Sequence, residues 1–418
     1  MSGKKKAIFY IVLIAIIVFI LRGIDALVPL AFPPEADYMK SPPNVTFRHE
    51  TDEFAYDIRV NSQSLRSPEI PVVSDNTRIV FLGDSLVYGT GVQEEDTFTR
   101  RTEGLLRAQG YAVDVINAGY PQQAPGTYPR RFRELTEEIQ PDALLLVLYT
   151  NDVMDMAQND AAVQSNDIVS GSFALSALHL LIPHTTEQIV QSWLKAQAMK
   201  AANREKVSEQ DSNANNTTAP DDPVVRFELD IRNLAAAHNI PESKVNAWIE
   251  RNRSLIARAG RGDVSQWILL AGLLKSDFYI NCLDIPDNRR AMFERLAAVI
   301  TELKAEADAR TIPFGLVYVP SELQFDARKW ELGKQLGYEV NPAWLTQTSQ
   351  LERELQNLAG EINAPFLNLT PVCRAQSAGL VWDYDLHFNE RGHAIVAPAI
   401  ARFVEGIVFA ESAKGETE

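Results

Sequence analysis

Residues 78–85 read Arg-Ile-Val-Phe-Leu-Gly-Asp-Ser, and the way this run starts and stops decides the fold. Ile79 to Leu82 are four consecutive apolar residues with no polar alternation, the pattern of a strand buried on both faces. Gly83 ends the run, and a polar pair, Asp84-Ser85, follows at once. Working outward, the same kind of run returns at 111–117 (YAVDVIN), 142–149 (DALLLVLY), 312–320 (IPFGLVYVP) and 364–369 (APFLNL). Helical periodicity fills the gaps, at 97–110 up to Gly110, 128–139, 288–310, 346–361 and 389–405. Strands alternating with helices predict a parallel sheet covered on both faces, a three-layer α/β/α sandwich of five strands. In such sheets the ligand crevice lies at the carboxyl ends of the strands.

The 418 residues are 46% hydrophobic with two cysteines, which excludes a disordered chain, a collagen-like repeat and a disulfide scaffold. The net charge of −15 repels phosphate backbones, so nucleic-acid partners are not expected. Lys4 to Lys6 precede fifteen uncharged and nearly all apolar residues, Ala7 to Leu21, and a weaker apolar tail follows Arg22. A cleaved signal peptide, a membrane anchor and a buried core helix compete for this stretch. The sequence after it, LRGIDALVP, lacks the small-residue pattern of a cleavage site, so residues 1–30 are read as an uncleaved anchor. The basic cluster keeps the N-terminus cytoplasmic and sends the rest outside, to the periplasm or cell surface. There, Cys282 and Cys373 either pair or stay as two buried thiols; no spacing rule chooses.

Residues 31–75 read as a Pro-rich tether and a lead-in strand, FAYDIRV (54–60), with Phe54, Tyr56, Ile58 and Val60 on one side. Residues 76–154 and 286–410 form the core, and 411–418 a flexible tail. Residues 155–285 interrupt the alternation with amphipathic stretches around a polar, disordered loop at about 203–223. This insert is expected to be mostly helical. Because it emerges from the strand end carrying Asn151, it is read as a lid or specificity element.

Four segments fall at predicted strand ends. Gly83-Asp84-Ser85 places a hydroxyl at the crevice. Asn117-Ala118-Gly119 ends the second strand with a glycine, where backbone can approach a ligand. Tyr149-Thr150-Asn151-Asp152 ends the third with an amide able to donate to an anionic oxygen. DYDLHFNERGH (383–393) opens the final helix, and its Asp385-x-His387 spacing lets a carboxylate fix an imidazole tautomer while the other ring nitrogen faces a nucleophile. His393 is expected to pack at the final helix. No HExxH, CxxC or P-loop pattern appears, so neither metal nor cofactor is expected.

In this order the four segments resemble the SGNH (GDSL-type) hydrolase family, over Phe54–Asp152 and Asn288–Glu405. The lead-in YDIRVNSQSLRSPEIP resembles that of exported members, which often carry Gly where Ser64 stands. The resemblance implies a flavodoxin-like sheet, Ser85 as nucleophile, His387 as general base and Asp385 as the orienting acid. Asp383 is the weaker choice, although the family more often has Asp-x-x-His. It also implies an oxyanion hole made by the Ser85 and Gly119 N–H groups and the Asn151 amide. The expected activity is that of a membrane-anchored esterase acting on O-acyl groups of carbohydrate, envelope polymer or lipid. The alternatives are an O-acyltransferase using the same acyl-enzyme, and an inactive envelope-binding protein. Protein partners and oligomeric state are not legible.

Overall fold

The run at 79–82 becomes the strand about which the sheet is organised. In a computed structural model, the described residues are 41–156 (except 52 and 122) and 222–409 (except 265 and 377), with a few isolated positions elsewhere. The chain divides into two units, residues 1–38 with 159–219 and residues 39–158 with 220–418, and the sheet with all its helices belongs to the second. The anchor expected over 1–30 lies almost entirely outside the described residues, as do the 411–418 tail and all but the end of the 203–223 loop. Among the described residues, no helix is long and apolar enough to cross a membrane.

An antiparallel hairpin comes first, β1 (Thr46–Glu50) and β2 (Ala55–Arg59). Tyr56 and Ile58 point inward and join Phe54, Val60 and Tyr88, as the period of two requires. Then come β3 (Thr77–Gly83), α1 (Ser85–Tyr88), α2 (Phe98–Ala108), β4 (Val113–Gly119), α3 (Tyr128–Glu138), β5 (Ala143–Tyr149) and α4 (Asp152–Asp155). The described part of the insert is helical: α5 (Pro223–Ala237), α6 (Glu242–Arg261), α7 (Gln266–Leu274) and α8 (Phe278–Leu283). The core resumes with α9 (Arg290–Ala309), β6 (Phe314–Val319), α10 (Ala327–Leu336), α11 (Gln350–Glu361), β7 (Phe366–Asn368), α12 (Thr370–Arg374) and α13 (Glu390–Val408).

The main sheet has five strands in the order β4-β3-β5-β6-β7, every neighbouring pair parallel. By order of appearance this is 2-1-3-4-5, the flavodoxin-like arrangement, and the winding reverses between β3 and β5. Ser85 follows β3 and Asn151 follows β5, so both stand at that reversal. Alternate residues feed the two faces. Val80, Leu82, Leu144, Leu146 and Leu148 meet Phe132, Leu296, Ile300 and Leu355 of α3, α9 and α11. Ile79, Phe81, Leu145 and Val147 meet Phe98, Leu106, Val396 and Ile400 of α2 and α13. Each such side chain stabilises the fold by about 1.5–3 kcal/mol relative to exposure.

Three details depart from or sharpen the sequence reading. The helix expected from 346 starts at Gln350, because Ser349 and Glu352 form a reciprocal capping box while Pro342–Leu345 make a separate 3₁₀ turn. α10 has no counterpart among the expected helices; Asp326 accepts from Arg328 N–H at its start and Gly337 closes it at φ 105°. Ser64 adopts φ 62°, the left-handed conformation that a glycine supplies without a Cβ penalty. Cys282 and Cys373 are both buried free thiols.

His393 is buried in α13, and its Nδ1 accepts the Phe98 N–H at 3.0 Å. Burial, helped by nearby positive charges, pushes this imidazole down to about 3. The folded state therefore keeps it neutral while the unfolded chain protonates it below about pH 6.5. Its contribution is fully present above that value and is lost as the pH falls toward 3, by up to about 1.4 kcal/mol per pH unit. His393→Gln is expected to flatten the fall in urea midpoint between pH 6.5 and 4, relative to the wild type. An unchanged slope would remove His393 from the acid sensitivity.

Candidate active site

The turn that carries Ser85 is set by its neighbours in sequence. Asp84 caps α1 by accepting the Leu86 N–H at 2.9 Å, leaving Ser85 as the first helical residue. The Ser85 N–H thus belongs to the first turn, where helix N–H groups have no intrahelical acceptor. Two glycines let the strands close beneath. A Cβ on Gly83 would lie 2.5 Å from Val87 Cγ2 and 2.7 Å from Val147 O; on Gly119 it would lie 2.4 Å from the Tyr88 nitrogen. Arg66 pins the turn from its far side, donating to the carbonyls of Tyr88, Gly89 and Val92 at 2.6–2.7 Å. Asn117 Nδ2 donates to Val87 O at 2.7 Å and ties the end of β4 to the same turn.

The 302 positions separating Ser85 from His387 close to a single contact, with His387 Nε2 2.8 Å from Ser85 Oγ. On the other side of the ring, Nδ1 meets Asp385 Oδ1 at 2.5 Å, and the same oxygen accepts the His387 backbone N–H at 2.9 Å. Asp383 enters through its carbonyl, which accepts from Lys329. Burial alone would lower the His387 pKa. The Asp385 charge and hydrogen bond, joined by the Asp84 and Glu322 charges, outweigh it, and the imidazole titrates above its ordinary 6.5. For Asp385 burial acts upward, but His387 and the hydrogen bonds leave the carboxyl below 3.8. The pair favours a proton on the ring and a charge on the acid, the polarity a general base needs.

The three expected oxyanion donors fare differently. Asn151 lines a 230 Å³ cavity with Ser85 and His387. Its amide donates to Asp155 Oδ2 at 2.6 Å and also faces the buried Asp84 carboxylate, so it sits between two acidic groups at the cavity wall. The Gly119 N–H donates to Asn117 Oδ1, two residues back on its own strand, at 3.0 Å. Gly119 also serves close packing. Asp155 carries no signal in the sequence; burial, then the Asp84 charge, pushes its carboxyl up to about 7. Among the described residues, no group of three or more His, Cys, Asp or Glu is placed to hold a metal ion.

The rest of the cavity is mostly apolar or aromatic. Leu86, Tyr149 and Leu386 come from the core, while Phe278 and Tyr279 come from α8 of the insert. Tyr279 and Tyr149 both donate to the buried Glu322 carboxylate, at 3.1 and 3.2 Å, which locks the insert wall to the sheet wall. Nothing in the sequence pairs these three residues.

Residues 81–395 match the family model described as the GDSL-like Lipase/Acylhydrolase family, a span that includes Ser85, Asn151, Asp385 and His387. The chain belongs to this family. As a GDSL-like acylhydrolase it is a serine ester hydrolase. No curated protein matches it. Among solved structures, it is similar to the psychrotrophic esterase EstA from Pseudoalteromonas sp., at 12% identity over 80% of this chain and 97% of that one, with a TM-score of 0.33. A putative lipolytic protein of the G-D-S-L family from Desulfitobacterium hafniense shows 11% identity over 78% and 99%, with a TM-score of 0.34. A catalytic mutant of Axe2, an acetylxylan esterase from Geobacillus stearothermophilus, shows 12% identity over 79% and 95%, with a TM-score of 0.33.

Proposed function

We propose that this GDSL-like hydrolase is a membrane-anchored, extracytoplasmic esterase that removes short O-acyl groups from carbohydrate, envelope polymer or lipid through an acyl-enzyme on Ser85. The observation that carries the reading is the 2.8 Å approach of His387 Nε2 to Ser85 Oγ, with Asp385 behind the ring. Ser85 Oγ attacks the acyl carbon and its proton passes to His387 Nε2. Asp385 stabilises the imidazolium, and the new oxyanion takes the Ser85 N–H and an amide proton of Asn151. His387 then protonates the departing alcohol, and water repeats the sequence on the acyl-enzyme.

Acyl size follows from the cavity. At 230 Å³ it is smaller than the usual ligand pocket of about 300–1,000 Å³, and Phe278 and Tyr279 wall it, which favours a short acyl chain. That contribution from α8 supports the insert as a specificity element. Lys4 to Lys6 ahead of Ala7–Leu21 support the anchor and its orientation. The test is a membrane-impermeant fluorophosphonate applied to intact cells. It is expected to label one site, Ser85, on a protein that sediments with membranes. Absence of label on folded protein would overturn the chemistry, and label only after lysis would overturn the location.

Asn151→Ala reports on the oxyanion donors separately from the nucleophile. Asn151 is the side-chain donor of the set, and kcat is expected to fall about 10²–10³-fold with KM little changed. Steady-state kinetics on p-nitrophenyl acetate measures this; a loss below about threefold would leave the Ser85 N–H as the donor that matters.

A further inference from the structure

We infer that Glu53 and Lys329 are positioning residues for catalysis, two opposite charges that grip the Asp385–His387 loop by its peptide groups from either side. The inference rests on the assignment of Ser85, His387 and Asp385 to acyl transfer.

The loop is a hairpin with little to hold its tip. Its base is closed by the Val381–Phe388 bridge, the Trp382 N–H on His387 O at 3.2 Å and the Asn389 N–H on Leu380 O at 3.0 Å. Between these, residues 383–386 have no ladder partner of their own, yet they include the acid that orients the base. Glu53 and Lys329 fill that gap. The Glu53 carboxylate accepts the Tyr384 N–H at 2.8 Å and the Asp385 N–H at 2.7 Å. Two successive N–H groups converging on one anion make a small nest. The Lys329 ammonium donates to the carbonyls of Trp382 and Asp383. The loop's amide protons therefore face a negative group and its preceding carbonyls a positive one.

Both grips come from elements remote in sequence and held independently. Glu53 sits on the β1–β2 connection, itself fixed by Thr51, whose hydroxyl accepts the Glu53 and Phe54 N–H groups at 3.3 and 3.2 Å. Lys329 is buried on α10, in the first turn after the Asp326 cap. Charge argues against a merely structural role for Glu53. It lies half-buried beside Asp385, a like charge, and burial together with that neighbour pushes its carboxyl up. A neutral amide or hydroxyl would cap the same N–H groups without this penalty. What the carboxylate adds is charge-assisted hydrogen bonding that fixes where Asp385 begins, and through it the ring that must reach Ser85 Oγ. Displacing such a group by about 1 Å typically costs about 10²-fold in rate.

The experiment uses the full chain and four variants. Glu53→Ala and Lys329→Met are expected to lower kcat on p-nitrophenyl acetate by about 10–100-fold, with KM within about twofold and a similar loss in the rate of fluorophosphonate inactivation. Lys329→Arg, which keeps both the charge and a donor, should recover most of the loss, whereas Glu53→Gln, which keeps an acceptor without the charge, should recover only part of it. The double variant Glu53→Ala/Lys329→Met should be far from multiplicative, because both act through one loop. Arg48→Ala, on the exposed side of the same hairpin, should match the wild type. If Ser85→Ala is inactive while Glu53→Ala and Lys329→Met keep wild-type kcat, the grip is refuted and the catalytic assignment stands. If Ser85→Ala is active, the assignment itself fails. Should Lys329→Met not fold, Glu53→Ala, which alters a partly exposed side chain on a hairpin connection, decides the question alone.

Discussion

Ser85→Ala is expected to lower kcat on short p-nitrophenyl esters by on the order of 10⁶-fold, the largest effect any single change to this chain should produce. The substitution removes one oxygen. Asp84 still caps the turn through the Leu86 N–H, Arg66 still holds the carbonyls behind it, and the Ser85 N–H is unchanged. Fold and ester binding should therefore survive, with KM near the wild-type value and an intact thermal transition. What disappears is the atom that His387 Nε2 meets at 2.8 Å, and no other hydroxyl lies within hydrogen-bond distance of that nitrogen among the described residues. The remaining donors should leave a slow background of about 10³–10⁴ over water. Fluorophosphonate labelling should vanish with the activity. A Ser85→Ala protein that retains more than about one part in a hundred of wild-type kcat would show that another nucleophile is at work. A wild-type protein that neither turns over esters nor takes the label would leave a binding protein on a hydrolase scaffold.

Much of this arrangement is legible in the chain before any coordinates, and the reason is topological. A parallel strand buried on both faces must be apolar throughout, so β3, β5 and β6 declare themselves as unbroken runs, and their carboxyl ends are where a parallel sheet puts its ligands. Ser85, Asn151 and His387 can thus be named from position plus residue type. Asp385 ranks above Asp383 although both acids share the loop with the histidine, and the 2.5 Å contact to Nδ1 goes to Asp385. The Gly119 N–H has a contact the sequence does not announce, Asn117 Oδ1, because whether an asparagine turns back on its own strand is a matter of rotamer. Arg66, Glu53, Lys329 and Glu322 give no signal at all. Each acts across the closed fold, Glu53 on residues 331 positions away, and a charged side chain next to a tether or in a helix reads as solvated surface until the packing is known. α10 escapes because its capping residues carry no strong apolar period between them.

Asp385→Asn should cost about 10⁴-fold in kcat while leaving the loop in place, and it should also move the pH profile in a direction fixed by the sign of the shifts. Asparagine matches the shape of aspartate, and its carbonyl can still accept the His387 backbone N–H now held by Asp385 Oδ1. Its amide, however, donates toward Nδ1 as readily as it accepts. That orientation puts the ring proton on Nε2, so the nitrogen facing Ser85 becomes a donor and can no longer take the proton from Oγ. The pH argument is independent. The proposed base, His387, acts when neutral, so kcat/KM is expected to rise with pH through its pKa. In the wild type that pKa lies above 6.5 because the Asp385 charge and hydrogen bond, with the Asp84 and Glu322 charges, together outweigh burial. Removing that charge leaves burial unopposed by its largest counterweight, and the acid limb of the residual activity should move to lower pH. Asp84 and Glu322 still act upward on the ring, so the limb moves part of the way toward the value burial alone would set. A variant with the lost rate but an unmoved limb would show that Asp385 orients the ring without setting its charge. A variant that loses less than about tenfold would pass the orienting role to another carboxylate, and Asp383, on the same loop, is the residue to replace next.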